Sequence, residues 1–357
     1  MNRIFDIIFM QDLFKLTKST LKDLATELNI DSSLTKNELV IKIFAEKDNL
    51  SAETITKIES KILATKSTSV TWYRIDKIFS AEDFRNKLKK NSKIDPFTTI
   101  GTIKENDITT TPKLISASSS AYKHGIFLRY VYKSGVRYEQ TLTSIKTIAK
   151  TSISTVYYDA DNGIIEIRGD TRKAEDVVKQ IANSIDNNIT FTLIEQPFTQ
   201  EMGDIADKLN GQLTEATSKP EFYFEEFSDD DSKAIVDVLK ALDDYIENKD
   251  SSSLENALQN ASDVFQQGDL ITPFATLILS GMETVGMAGT NEIRTLPLFS
   301  YLHPYLQHQG GFIKFAYTDG HIEQNYTIRI GINTKSIVFM SQVSESLIDY
   351  VRTNVII

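Results

Sequence analysis

The residues that come nearest to a catalytic pattern are Asp159, Asp161, Glu166 and Arg168. A metal-dependent nuclease holds its ion between carboxylates on adjoining strand positions and sets a lysine beside them to activate water. Here Asp159-Ala-Asp-Asn-Gly163 and Ile164-Ile-Glu-Ile-Arg168 supply the acids, but arginine stands where lysine is needed. Arginine does not give up its proton, and the acids fall in what reads as a hairpin turn. A nuclease is therefore the last of three readings. His303 and His308 are five residues apart, which is neither the i, i+4 pair of a helical zinc site nor a His-x-His strand pair. There is no cysteine, so thiolate nucleophiles, disulfides and cysteine metal sites are excluded. Gly281, Gly286 and Gly289 are too widely spaced for a phosphate loop. The acidic run Glu225, Glu226, Asp229, Asp230 and Asp231 reads as a solvated helix start. No catalytic residue, metal ligand or cofactor is expected.

The stronger chemistry is electrostatic. The chain carries a net charge of −10, unevenly spread. Residues 1–66 are neutral, with 10 basic and 10 acidic side chains; residues 67–150 hold 15 basic against 7 acidic; residues 151–357 hold 14 against 32. Such asymmetry points to a polyanionic partner for one part of the chain. In the basic part, tyrosines lie among the charges: Trp72, Tyr73 and Arg74, then Lys87, Lys89, Lys90 and Lys93, then Arg129, Tyr130, Tyr132, Lys133, Arg137 and Tyr138. Basic residues with interleaved aromatics can follow a nucleic-acid backbone and stack on bases. On a strand Arg129 and Tyr130 face opposite sides, so only one of them can meet a ligand.

These residues need elements to position them. Leu21, Leu24, Ala25 and Leu28 form a helical stripe, with Thr20 and Asp23 in capping-box positions. Asn29 stands where that helix must end in a left-handed residue. Thr35 and Glu38 open a second helix by the same box, and Ser51 opens a third. Residues 66–70 read as a polar linker, and residues 91–120 as a loop with a short strand. Three hairpins follow: 125–142 with its turn at Lys133-Ser134-Gly135, 155–168 with its turn at 159–163, and 312–330 with its turn at 318–320. Asp170 or Thr171 caps a helix with the apolar face Ala174, Val177, Val178, Ile181 and Ile185. Two acidic helices start near Ser228 and Ser251, and a strand at 337–340 and a helix at 344–355 close the chain. The strings FLRYVYKSGVRYEQTLT and FIKFAYTDGHIEQNYTIR share an order of strand, tyrosine, glycine turn and polar strand, an echo compatible with a duplicated unit. No apolar run reaches the roughly 18 residues of a membrane span; the longest apolar stretch, Leu270 to Met287, is broken by Thr272, Pro273, Gly281 and Glu283, and no signal peptide is visible.

One segment carries a family resemblance. TLKDLATELNIDSSLTKNELVIKIF resembles the SAP and Rho N-terminal class of helix–extended loop–helix modules, through Leu21, Leu24, Leu28, Ile30, Lys36, Glu38, Leu39 and Ile43. The class usually has glycine where this chain has Asn29, and asparagine tolerates the same backbone region. The resemblance covers about residues 17–46. It implies binding to double-stranded DNA, largely through the backbone, with Lys18, Ser19, Lys22, Thr35 and Lys36 at the helix starts offering amides and charge to phosphate.

The expectation is an α+β protein: a small N-terminal helical module over 1–66, a basic α/β hairpin domain over 67–195, and an acidic α+β domain over 196–357. The expected nucleic-acid contacts are Lys18, Ser19, Lys22, Thr35, Lys36, Lys89, Lys90, Arg129, Lys133 and Arg137. The expected function is a non-enzymatic, cytoplasmic DNA-binding or adaptor protein, of bacterial or phage type by its Ile, Lys, Asn and Ser bias. The acidic part would bind a protein or self-associate, and no membrane is involved. The alternative is a scaffold or subunit of a larger complex, such as a phage-defence or plasmid-maintenance assembly.

Overall fold

The computed structural model describes residues 2–64, 67, 69–101, 107–120, 125–186, 188–220, 229–249, 251–267, 284–303, 306–319 and 322–357. The chain forms two compact units, residues 1–212 with 312–357, and residues 213–311. Both divisions expected from the sequence, at 66/67 and 195/196, fall inside the first unit. The fold class is mixed α+β with antiparallel strand pairing.

The first unit begins with four helices, α1 (Met10–Leu13), α2 (Lys18–Glu27), α3 (Lys36–Glu46) and α4 (Ala52–Ile62). Thr35 and Glu38 close a reciprocal capping box on α3, and Ser51 caps α4. The start of α2 lies earlier than its leucine stripe implies. Thr17 is the cap, accepting from the Thr20 amide, so the helix takes in Lys18 and Ser19. Asn29 ends α2 with φ of 56°, the left-handed backbone that favours glycine or asparagine.

The sheet of this unit is built from β1 (Ser69–Ile75), β2 (Lys113–Ser119), β3 (Gly125–Gln140), β4 (Ile145–Asp159), β5 (Ile164–Arg168) and β6 (Phe191–Leu193), joined later by the part of β9 (Leu306–Asp319) that follows Gly311, β10 (Ile322–Gly331) and β11 (Ser336–Phe339). The strand order is β2-β3-β4-β5-β1-β11-β10-β9, with β6 also on β1. The expected linker at 66–70 is thus partly the start of the central strand, with Ser69 and Val70 paired to Val338 and Ile337. The expected turn at Lys133-Ser134-Gly135 is instead a β-bulge inside β3, and the chain reverses at residues 141–144. A glycine flanked by polar residues serves a bulge as well as a turn. The β4–β5 hairpin turns where expected, with Gly163 at φ of 63°.

Strand alternation creates two faces, and both are covered. Tyr73, Ile75, Leu128, Tyr130, Val156, Tyr158, Ile165 and Ile167 point to one face. There α5 (Ala81–Asn91) and α6 (Thr171–Ile185) bury Phe84, Leu88, Val177 and Ile181. Asp170 caps α6, and the five apolar residues of its predicted stripe are all buried. Phe127 and Tyr157 point to the other face, where they share a core with Leu21, Leu24, Leu39, Val40 and Ile43. Also in this unit, α7 (Met202–Lys208) buries Met202 and Ile205. The segment 91–120 holds the whole of β2, whose Ala117 belongs to the first core.

In the second unit, β7 (Gln212–Pro220) pairs with β8 (Val285–Ala288), and α8 (Asp229–Asn248) packs on α9 (Ser251–Gln267) through Ile235, Val238 and Ala261. Glu292 takes the Leu213 amide ahead of α10 (Pro297–Leu302). Residues 268–283, which include most of the longest apolar stretch, and residues 221–228, with Glu225 and Glu226, lie outside the described residues. No helix among the described residues is long and apolar enough to cross a membrane.

The last helix of the first unit, α11 (Glu345–Val351), is capped by Ser344 and followed by a wide turn at Arg352–Ile356. The order hairpin, strand, helix therefore occurs twice, as β3-β4-β5-α6 and β9-β10-β11-α11. The third strands of the two series flank β1. The sequence echo sets its glycines in register, yet one marks a bulge; what recurs is the element order.

Because the N-terminal helices share their core with Phe127 and Tyr157, they should not melt alone. We expect Leu39→Asp to cost about 3 kcal/mol or more by placing a charge in that core. Trp72 is the chain's one tryptophan and is fully buried. Its fluorescence should change in the same thermal transition as the far-ultraviolet circular dichroism, at a lowered temperature.

Candidate nucleic-acid interface

Among the described residues most strands of the sheet are paired on both sides, but the distal parts of β3 and β4 have no strand partner except each other. β2 pairs with β3 no further than Val131, and β5 pairs with β4 only from Thr155 onward. Beyond those points β3 and β4 continue as a two-stranded ribbon, from Lys133 opposite Thr151 to Gln140 opposite Ile145. Directly opposed residues in a strand pair share a face. Arg137 and Ile148, Glu139 and Lys146, and Gly135 and Lys150 make one face, which carries three cations and one acid. Val136 and Ala149, Tyr138 and Thr147, and Gln140 and Ile145 make the other. That second face is apolar yet open, with Tyr138 70% and Ile145 62% exposed.

The tip of the ribbon is held by side chains as well as backbone. The Thr141 amide donates to the Ser144 carbonyl at 2.8 Å, and the Ser144 amide donates to Thr141 Oγ1 at 3.1 Å. Between them Leu142 is fully exposed. At the base, the bulge between Lys133 and Gly135 adds local twist, and Ser134 donates to the Lys150 carbonyl at 3.2 Å.

The sequence-predicted contacts fall into three groups. Lys18, Ser19, Lys22, Thr35, Lys90 and Arg137 are exposed. Lys36, Lys89 and Lys133 are half-buried. The Lys36 ammonium donates to the Phe14 carbonyl at 2.7 Å, and Lys89 pairs with Asp95 at 2.8 Å. Arg129 is the correction. It is buried against Asp12, which also takes the Phe9 amide at 2.8 Å, and against Thr155. No phosphate can reach it, because the N-terminal helices cover its face while Tyr130 lies in the opposite core. Neither of the alternating pair faces a ligand. Lys146 and Lys150 escape the sequence reading, which starts the strand only at Thr155. The β-branched residues Ile145, Thr147, Ile148, Thr151 and Ile153, leading into Thr155, are the signal that could have found them.

Of the nuclease-like residues, Asp159, Glu166 and Arg168 enter an ion-pair cluster on the face shared with the N-terminal helices, and Asp161 is exposed. Glu166 is fully buried and accepts from Trp72 at 2.9 Å, Arg168 at 2.7 Å and Arg352 at 2.9 Å. Arg168 grips Glu345 with both terminal nitrogens, at 2.6 and 2.7 Å, and also donates to the Leu63 carbonyl at 2.8 Å. Asp159 takes the Asp161 and Asn162 amides, at 3.1 and 3.2 Å, and lies 3.5 Å from Arg352. Burial alone would raise the pKa of Glu166, but the Arg352 and Arg168 guanidiniums outweigh it and hold the group at about 2. No metal-ligating cluster of histidine and acids occurs among the described residues.

In the second unit Ser218 and His308 share a 2.7 Å hydrogen bond, His308 stacks on Phe299, and His303 is tilted against His308. Ser218 is fully buried, so this contact offers no nucleophile to a substrate. No protein-family model matches the chain, and no curated protein matches it at the significance required.

The depressed pKa of Glu166 makes an acid prediction. A carboxylate whose folded pKa lies below its ordinary 4.5 adds stability above that value and loses it as pH falls towards about 2. We expect acid unfolding, followed by Trp72 fluorescence, to sharpen between about pH 4 and pH 2 for this reason. Glu166→Gln should remove that component and destabilise the protein by about 3–5 kcal/mol at neutral pH, since two buried arginines lose a shared partner.

Proposed function

We propose that this chain is a non-enzymatic, cytoplasmic protein that binds double-stranded DNA, with the β3–β4 ribbon as its principal contact. The observation that carries the proposal is the ribbon's basic face, where Arg137, Lys146 and Lys150 stand against a single acid, Glu139, on strands with free edges. A two-stranded ribbon fits the major groove of B-form DNA, and lysine and arginine on it can reach phosphates on either side. The SAP-like resemblance adds a second contact, the start of α2, where Lys18, Ser19 and Lys22 are exposed. Lys36 contributes less in this reading because its ammonium already serves the Phe14 carbonyl. The acidic part beyond residue 150 is proposed to bind a protein or to self-associate.

A second reading, a protein scaffold or subunit of a larger complex, is favoured by one feature. The opposite face of the ribbon exposes Val136, Tyr138 and Ile145, and its tip exposes Leu142. Such a face suits a protein partner as readily as a groove wall.

Every cation removed from a phosphate lowers the slope of log affinity against log salt by about 0.9, because one fewer counterion is released on binding. We expect the triple variant Arg137→Ala, Lys146→Ala, Lys150→Ala to weaken duplex binding for all sequences alike and to flatten the slope by roughly 2 to 3. Gel-shift titrations across salt would measure both. Wild-type protein without duplex affinity at low salt would end the DNA reading and leave the scaffold.

A further inference from the structure

Next to the base of the ribbon the first unit holds a polar cavity of about 370 Å³, lined in part by Asp12, Lys15, Ser67, Ser69, Tyr132 and Asp170. Its charges do not balance. Asp12 is bound by Arg129, and its second oxygen lies 3.6 Å from the Lys15 ammonium. Asp170 is held by its own arginine, with Arg172 Nε at 3.0 Å and Nη2 at 2.8 Å. Among the described residues each carboxylate therefore has a guanidinium, and Lys15 is the surplus cation. Burial pushes the Lys15 pKa below its ordinary value; attraction to Asp12 works against this, and Arg129 adds to it. An ammonium in that position lacks a full counter-charge.

The neutral donors around it have the same gap. Tyr132 is almost wholly buried, and its hydroxyl accepts from Ser154 at 3.4 Å. The Tyr132 proton itself has no acceptor among the described residues. Ser67 and Ser69 line the cavity without a side-chain hydrogen bond among the described residues. A lysine, a tyrosine and two serines supply several donors around one space, which suits an anion with several oxygens better than a single carboxylate.

We propose that this cavity is a phosphate-binding site, with Lys15 as counter-charge and Tyr132, Ser67 and Ser69 as neutral donors. The group could arrive as free phosphate or a mononucleotide, or as the terminal phosphate of a nucleic-acid strand. The site does not depend on the DNA reading, because it is tested with small anions in the absence of any duplex.

The test uses the full chain and thermal denaturation. Inorganic phosphate at millimolar concentration should raise the melting temperature, whereas chloride at matched ionic strength should not. Lys15→Gln should abolish the rise. Tyr132→Phe, which keeps the ring in place, should weaken phosphate binding by roughly tenfold, the loss expected for one hydrogen bond to a charged group. Adenosine monophosphate, and then an oligonucleotide with and without a 5′-phosphate, separate the two sources. A response to the monophosphate alone supports a small ligand, and a response confined to the phosphorylated strand supports a nucleic-acid end. If neither phosphate nor any of these ligands shifts the wild-type protein, or if both variants keep the full shift, the proposal is wrong.

Discussion

A guanidinium taken out of water costs several kcal/mol unless its donors and its charge are met within the protein. Beside Glu166, two residues before it on β5, Arg168 meets that demand only when two distant segments arrive together: the Leu63 carbonyl just after α4, and Glu345 at the start of α11. Arg352 imposes a parallel condition through Glu166, Asp349 and Asp159. Breaking such a cluster leaves a bare buried charge, so any arrangement that mispairs β5 or misplaces either terminal segment is strongly disfavoured. The cluster thus acts chiefly on specificity. Hydrophobic residues of equal volume could stabilise the face as well, but they would tolerate more than one placement of what covers it.

The same condition explains why the two faces of the sheet are covered from different parts of the chain. Helices α5 and α6 lie close in sequence to the strands they cover. The opposite face takes its cover from both ends of the chain, the first 64 residues and the last 13. A half-turn about β1 would carry β5 onto β11 and exchange the faces. This matches the placement of α6 on one side and of α11, through Glu345, on the other. Contacts such as Asp12 with Arg129 and Glu166 with Arg352 close loops of more than a hundred residues. Such closure costs loop entropy and slows folding.

Local signals in the sequence carried over to the structure. Thr35, Ser51 and Asp170 cap helices because their side chains serve amides three residues away or nearer, which needs no knowledge of the rest of the chain. Asn29 and Gly163 mark left-handed backbone for the same reason. One local signal misled, since Thr17 rather than Thr20 caps α2; what else failed was long-range. Arg129, Glu166 and Arg168 sit in alternating strand positions and read as solvated charge or as a site. Their partners at 12, 345 and 352 have no sequence relation to them. The ribbon was obscured in a different way. Lys133-Ser134-Gly135 has the composition of a turn, and only the continued pairing of β3 with β4 shows that the chain passes straight through it.

An acidic protein that binds a polyanion has to keep most of its own charge out of reach of the partner. The ion pairs on the covered face already compensate one another and contribute little field outside. The ribbon's cations have one acid among them and stand at a distance. Seven residues of extended strand, from Ser134 to Gln140, span about 23 Å at roughly 3.3 Å each. Exposed charges at physiological salt are screened beyond about 8 Å. A phosphate at the far half of the ribbon would therefore meet Arg137 and Lys146 nearly undisturbed by charge at its base. On the DNA reading, the length of the ribbon rather than the net charge of the chain decides whether a duplex is attracted.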